Sequence, residues 1–251
     1  MIIVSILAFF SIFTVVVLVH ELGHFLAARK AGVKVYEFSI GFPFSPKIVT
    51  LFRHRETEFT LRLLPLGGFV SFSKDGDEEA QDLFGASSSY RALILSAGAL
   101  SNICFAFLLL VSVYMLGKHL PMTAAISESA RAVWSVVSGT AAFLVNALSG
   151  HGSLDTMAGP VGIAVIAGKA AAKGILNALY FTGMLSLSLG IMNLIPFPAL
   201  DGGQLVMLLI ETLRKKPLSV KTYQVVNTVG FVLFMALTFF ITYRDIVKLA
   251  A

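Results

Sequence analysis

Four stretches of the chain stay apolar for the roughly 20 residues needed to cross a bilayer. They are Ile2–Val19, running on into a helix that reaches about residue 27, then Ala92–Leu116, Gly174–Ile195 and Thr222–Tyr243. A fifth run, Ala132–Gly150, is uncharged but patterned: Ser135, Ser138, Gly139, Ala142 and Asn146 recur at helical spacing, opposite Val133, Val137, Leu144 and Leu148. That periodicity predicts an amphipathic helix lying on the membrane or on other helices, within an outer segment covering 124–170. Met157–Gly168, which holds Gly159-Pro160 and Gly162, is too short and too broken to cross. Residues 33–72 change period. Val35, Phe38 and Ile40, then Ile48, Val49, Leu51 and Phe52, then Phe59, Leu61, Leu63 and Leu64 form short runs punctuated by Gly41, Pro43, Pro46, Pro65, Gly67 and Gly68. Thr57–Leu63 alternates polar and apolar residues, so a small antiparallel sheet is predicted, either membrane-associated or an ordinary surface hairpin. The expected fold is a single, mainly α membrane domain over 1–251, with four transmembrane helices, a small sheet after the first and an outer amphipathic helix.

Composition agrees with that class: 57% of residues are hydrophobic, 13% are charged and mean hydropathy is +0.85. The first run has no basic leader and is too long for a cleaved signal peptide. The single cysteine, Cys104, lies in the second span, so no disulfide framework exists. The net charge of +5 matters less than its distribution, and nucleic acid is not expected as a partner. Nine of the 19 basic residues (Arg29, Lys30, Lys34, Lys47, Arg53, Arg55, Arg62, Lys74, Arg91) fall between spans one and two, and Arg214, Lys215, Lys216 and Lys221 fall between three and four. The positive-inside rule then sets both loops in the cytoplasm and both termini outside. A fifth crossing at Ala132–Gly150 would invert the third span. The acidic cluster Asp75, Asp77, Glu78, Glu79 and Asp82 reads as a solvated loop and is assigned no chemistry.

The chemistry begins where the first span ends, in His20-Glu21-Leu22-Gly23-His24. Histidines four apart on a helix project from one face, one turn apart, and can hold one Zn²⁺, with Glu21 beside them as general base. The bland reading is a capped helix end at the interface, but ionisable groups inside a span are costly and usually functional. The third span ends Asn193-Leu-Ile-Pro196-Phe-Pro198-Ala-Leu-Asp201-Gly202-Gly203. Prolines and glycines break the helix there, and Asp201 is either a helix N-cap or a third ligand on the same side as His24. Two histidines and one carboxylate with an open position make a catalytic zinc set. In the second span, Ser96, Ala97, Gly98, Ala99 and Ser101 allow close helix packing, and Asn102 is as well read as structural glue. The run Phe59, Thr60, Leu61, Arg62, Leu63 is the expected sheet edge for an unwound substrate, since a free edge offers hydrogen-bond partners at regular spacing.

HELGH in the first span with NLIPFPALDGG in the third resembles the site-2 protease family of intramembrane zinc metalloproteases, and most closely its bacterial envelope members. Gly67-Gly68-Phe69-Val70, Ser96-Ala97-Gly98 and Ala158-Gly159-Pro160-Val161 extend the resemblance over nearly the whole chain. It implies His20, His24 and Asp201 as zinc ligands, Glu21 as general base and Asn193 as a substrate-binding or transition-state-stabilising group. It further implies a multi-pass protein of the bacterial inner membrane that cuts single-pass anti-sigma factors or signal-peptide remnants within the bilayer. Three departures stand out. Ala99 occupies the usual proline of the second-span motif, Ser188 the place of a second asparagine, and no PDZ domain separates Pro121-Met122-Thr123 from Ala124. A minimal member and a chain from which that segment was removed both fit. The rival readings are a metal transporter or metal-binding membrane protein using the same three ligands, and a catalytically dead relative acting as a chaperone.

Overall fold

Residues 2–42, 45–64, 67–73, 81–151 and 158–250 are described in the computed structural model. Asp75, Asp77, Glu78 and Glu79 of the acidic cluster lie outside them. In chain order the elements are α1 (Ile2–Lys30), β1 (Glu37–Ile40), β2 (Lys47–His54), β3 (Thr57–Arg62), β4 (Gly68–Ser71), α2 (Gln81–Gly85), α3 (Ser88–Gly117), α4 (Met122–Leu148), α5 (Pro160–Ala172), α6 (Ile175–Asn193), α7 (Asp201–Arg214) and α8 (Val220–Ala250). Among the described residues, four helical stretches are long and apolar enough to cross a membrane: Ile3–Lys30, Ser88–Gly117, Ile175–Asn193 and Lys221–Leu249. The most apolar window of the first and of the last is only 11% buried. Apolar surface on that scale needs lipid rather than water around it.

The chain divides into two units. One comprises Phe13–Asn102 and Met192–Phe231. Its core gathers Ala27, Ala28, Val33, Val35, Leu83 and Ile94, with Phe25, Val70 and Phe72 packed on it. The sheet of this unit has the order β2-β3-β1-β4 and is mixed, not antiparallel: β1 pairs with β3 in parallel, while β2–β3 and β1–β4 are antiparallel. Side-chain bonds fix that order. Thr57 donates to the Val35 carbonyl at 2.7 Å, Thr60 Oγ1 lies 2.6 Å from Glu37 Oε1, and Arg62 reaches both Glu37 and the Ser45 carbonyl. β2 forms one edge and is exposed throughout. Lys47 and Arg53 bracket Glu58 and hold its carboxyl below the usual carboxylate range. β4 forms the other edge.

A buried ion pair ties the helices of this unit together. Arg91 on α3 donates to Glu211 on α7 at 2.6 Å and to the Tyr223 hydroxyl on α8 at 2.9 Å, and Glu211 also accepts the Leu218 N–H. Removing one partner would leave a charge stranded in a dry place, so the three helices are held in fixed phase.

The second unit comprises Met1–Ile12, Ile103–Ile191 and Val232–Ala251. Leu110, Tyr114 and Ala125 form its buried cluster, with Leu120 and Met184 against it. α5 opens on Pro160, and Asp245 of α8 accepts the Gly162 N–H at 2.7 Å. α4 buries Ala125 and Ser129 near its start, while Ser135, Ser138, Gly139 and Asn146 are exposed. Of the expected apolar face, Val137 is exposed while Val133 and Leu144 are half-buried.

Candidate metal centre

α1 runs unbroken through residues 20–24, so the two histidines stack one turn apart with ring centroids 4.7 Å apart. The third group comes from the irregular segment after α6. There Ala199 adopts a left-handed conformation (φ 74°) and Leu200, not Asp201, is the N-cap of α7, with no side-chain cap bond. The Asp201 carboxylate is therefore not consumed in capping and turns to the histidines instead. Gly203 permits this turn to close, because a β-carbon there would lie 2.8 Å from the Phe197 carbonyl carbon.

His20 Nε2, His24 Nε2 and Asp201 Oδ2 form a nearly regular triangle with sides of 3.2, 3.2 and 3.4 Å. Zinc bound to nitrogen or oxygen at about 2.0–2.1 Å in a tetrahedron separates its ligand atoms by about 3.3–3.4 Å. The donor set thus has the edge lengths of one face of such a site. Tautomers agree with it. His24 Nδ1 lies 2.7 Å from the Ile94 carbonyl, which can only accept, so the hydrogen sits on Nδ1 and, in the neutral ring that binds a metal, Nε2 carries the lone pair. That lone pair faces a carboxylate oxygen and a second imidazole, an arrangement that a shared cation stabilises. Both imidazoles press on α3 at Gly98, where a β-carbon would lie 2.8 Å from His20 Cε1 and overlap His24.

The triangle opens into a cavity of about 450 Å³ whose wall includes Glu21, Val70, Asn193, Gln204, Tyr223 and Asn227. Glu21 sits beside β4: the Val70 main chain hydrogen-bonds its carboxylate, and its Cγ would lie 3.4 Å from a β-carbon on Gly68. Asn193 lines the same cavity from the end of α6. Asn102 is fully buried on α3 and does not line it.

The expected substrate edge has to be corrected. Phe59, Thr60, Leu61 and Arg62 belong to β3, which is paired on both sides, and Leu63 gives its N–H to the Pro46 carbonyl. None of the five lines the cavity. The strand that does is β4, through Phe69 and Val70. The Gly41 N–H bonds the Gly67 carbonyl and Phe69 is registered with Ser39, so residues 67, 69 and 71 turn their main-chain groups toward β1. By alternation, Gly68 and Val70 turn theirs away from the sheet. Gln204, Tyr223, Gln224 and Asn227 were also missed. The signal for the last two was a pair of carboxamides three residues apart on an otherwise apolar span.

Among known proteins, the family model described as Peptidase family M50 matches residues 8–237. A candidate zinc metalloprotease of Clostridium perfringens is 28% identical over 325 aligned residues, covering 94% of this chain and 96% of that protein. The zinc metalloprotease RasP of Shouchella clausii is 25% identical over 417 residues, covering 98% of this chain and 99% of its own. The RasP of Geobacillus kaustophilus is 45% identical over 101 residues, 40% of this chain and 24% of that protein. The first two alignments are longer than the 251 residues here, so those relatives carry residues without a counterpart in this chain.

Proposed function

The chain belongs to peptidase family M50, and on that premise we propose that it is an intramembrane zinc endopeptidase that cuts membrane-protein substrates within or beside their transmembrane segments. The observation that carries this reading is one cavity holding the His20–His24–Asp201 triangle, the Glu21 carboxylate and an outward-facing strand edge, in a chain with four apolar spans. His20, His24 and Asp201 would hold the zinc. When bound, zinc polarises the scissile carbonyl and acidifies the attacking water. Glu21, steadied by the Val70 main chain, takes a proton from that water as its oxygen attacks the carbonyl carbon. It then returns the proton to the leaving nitrogen as the C–N bond breaks. The Asn193 carboxamide is suited to donate to the oxygen on which negative charge develops.

A transmembrane helix hides its peptide bonds, so the substrate has to unwind. Its freed N–H and C=O groups find partners along β4, where Gly68 turns its N–H and C=O outward and Val70 its C=O, the Val70 N–H being held by Glu21, and strand addition there would hold the scissile bond extended. Zinc-loaded protein in liposomes should therefore cut a single-pass transmembrane peptide. An isotope-labelled copy bound to the Glu21→Gln variant should move its amide I band from helical to extended frequency. Cleavage of soluble peptides alone would overturn the intramembrane reading, and a band that stays helical would overturn strand addition.

The basic loops favour an orientation with both termini outside, and the family resemblance points to single-pass helices and signal-peptide remnants of a bacterial inner membrane as substrates. A cysteine at Lys215 should react only with reagent on the cytoplasmic side, and one at His151 only from outside. Labelling of position 151 from the cytoplasm would reverse the assignment. α5 has 13 residues and so reaches about 20 Å, short of the roughly 30 Å of hydrocarbon.

A further inference from the structure

An extended peptide presents N–H and C=O groups alternately to its two sides, and a single strand edge pairs with only one of them. If the substrate adds to β4, the other side of its backbone enters the cavity with half its polar groups unpaired. The cavity wall contains a group fitted to that need. Asn227 lies on α8 among Val225, Val226 and Val229, and its Oδ1 is buried without a hydrogen-bond partner among the described residues. A carboxamide carries one acceptor and two donors, the complement of a peptide group. The phase of α8 is also fixed. Tyr223, one turn earlier, is held by Arg91, which is itself locked on Glu211, so Tyr223, Gln224 and Asn227 all line the cavity.

We propose that Asn227, with Gln224 at the mouth beside it, is a substrate-positioning residue that hydrogen-bonds the side of the unwound substrate backbone left unpaired by β4. The inference rests on the strand-addition reading above. It makes recognition here a matter of main-chain conformation more than of side-chain identity, because both walls read peptide groups. It also explains why an apolar helix keeps an unsatisfied acceptor: the partner arrives with the substrate.

The test uses the full zinc-loaded chain in liposomes and a transmembrane peptide whose amides near the scissile bond are replaced, one at a time, by esters. Each ester removes one N–H. Asn227→Leu should raise KM tenfold or more with kcat changed less than threefold and zinc content unchanged. Its Tm should hold or rise, since a buried unpaired acceptor has been replaced by methyl groups. A structural role would lower Tm instead. In the wild type, esters at two alternating sets of positions should weaken binding. In Asn227→Leu one of those positions should become silent while the set facing β4 still weakens binding. If esters matter equally in both proteins, Asn227 does not contact the backbone and the inference fails. If no ester matters in either protein, strand addition itself is wrong. Should Asn227→Leu lose zinc or fold, Asn227→Ser is read by the same ester pattern. A pattern identical to wild type there overturns the proposal.

Discussion

Glu21→Gln should leave the protein folded and zinc-loaded while peptide cleavage falls by about 10²–10⁴-fold, the usual contribution of a positioned general base. The three atoms of the donor triangle come from His20, His24 and Asp201, so the substitution removes no ligand. It is also close to isosteric, and the glutamine oxygen still accepts from the Val70 main chain, so β4 keeps its anchor. What is lost is the ability to take a proton. Single-turnover cleavage in liposomes, read beside metal content by mass spectrometry, separates the two. Wild-type rates from the variant would remove Glu21 from the mechanism. Zinc binding without cleavage in the wild type as well would favour a metal-binding or transport protein built on the same three ligands.

The parts of the site that were legible in the sequence are those governed by local geometry. Residues 20, 21 and 24 needed only a helix, because 3.6 residues per turn fixes which side chains share a face. Asp201 stood out as an acid in apolar surroundings; the structure removes the cap reading by giving that position to Leu200 and leaves the carboxylate beside both histidines. Strand order was not legible. The alternation in Thr57–Leu63 reports one buried face, but it is silent on whether the ladder is occupied on one side or both. β3 turned out to be interior because Thr57, Thr60 and Arg62 bond across to β1 and its flanks. β4 was hidden for a different reason. Gly67-Gly68 reads as punctuation, yet Gly68 is the first residue of the strand, where a β-carbon would come within 2.8 Å of the Ser39 carbonyl oxygen.

Arg91 illustrates the same limit in electrostatics. Counted along the chain it is one more cation in a basic loop, but it is buried against a glutamate 120 positions away. No local pattern connects the two. Its consequence reaches the site, because the same guanidinium fixes Tyr223 and with it the face of α8 that lines the cavity. The sequence marks which residues have chemistry to offer. The long-range pairs decide which of them share a cavity.

Gly98→Ala, a change of one methyl group that removes no ligand, should weaken zinc binding by about 10–100-fold, the range found when the shell around metal ligands is disturbed. A β-carbon at Gly98 would lie 2.8 Å from His20 Cε1 and from His24 Cδ2 and would overlap His24 Nε2 itself. His24 has little freedom to yield, because its Nδ1 is bonded at 2.7 Å to the carbonyl of Ile94, which lies on α3 one turn before Gly98. The methyl group and the tether therefore push the imidazole from one side and hold it from the other. The triangle of ligand atoms has to open, and its near-tetrahedral edges are lost. Cleavage should fall in parallel and recover in part at high zinc, which a defect in Glu21 would not do. Gly139→Ala is the control: no atom lies within 4 Å of a β-carbon there, so zinc affinity should stay at the wild-type value. Equal zinc affinity in Gly98→Ala and wild type would mean that α3 can retreat from α1, and that Gly98 does not set the spacing of the two histidines.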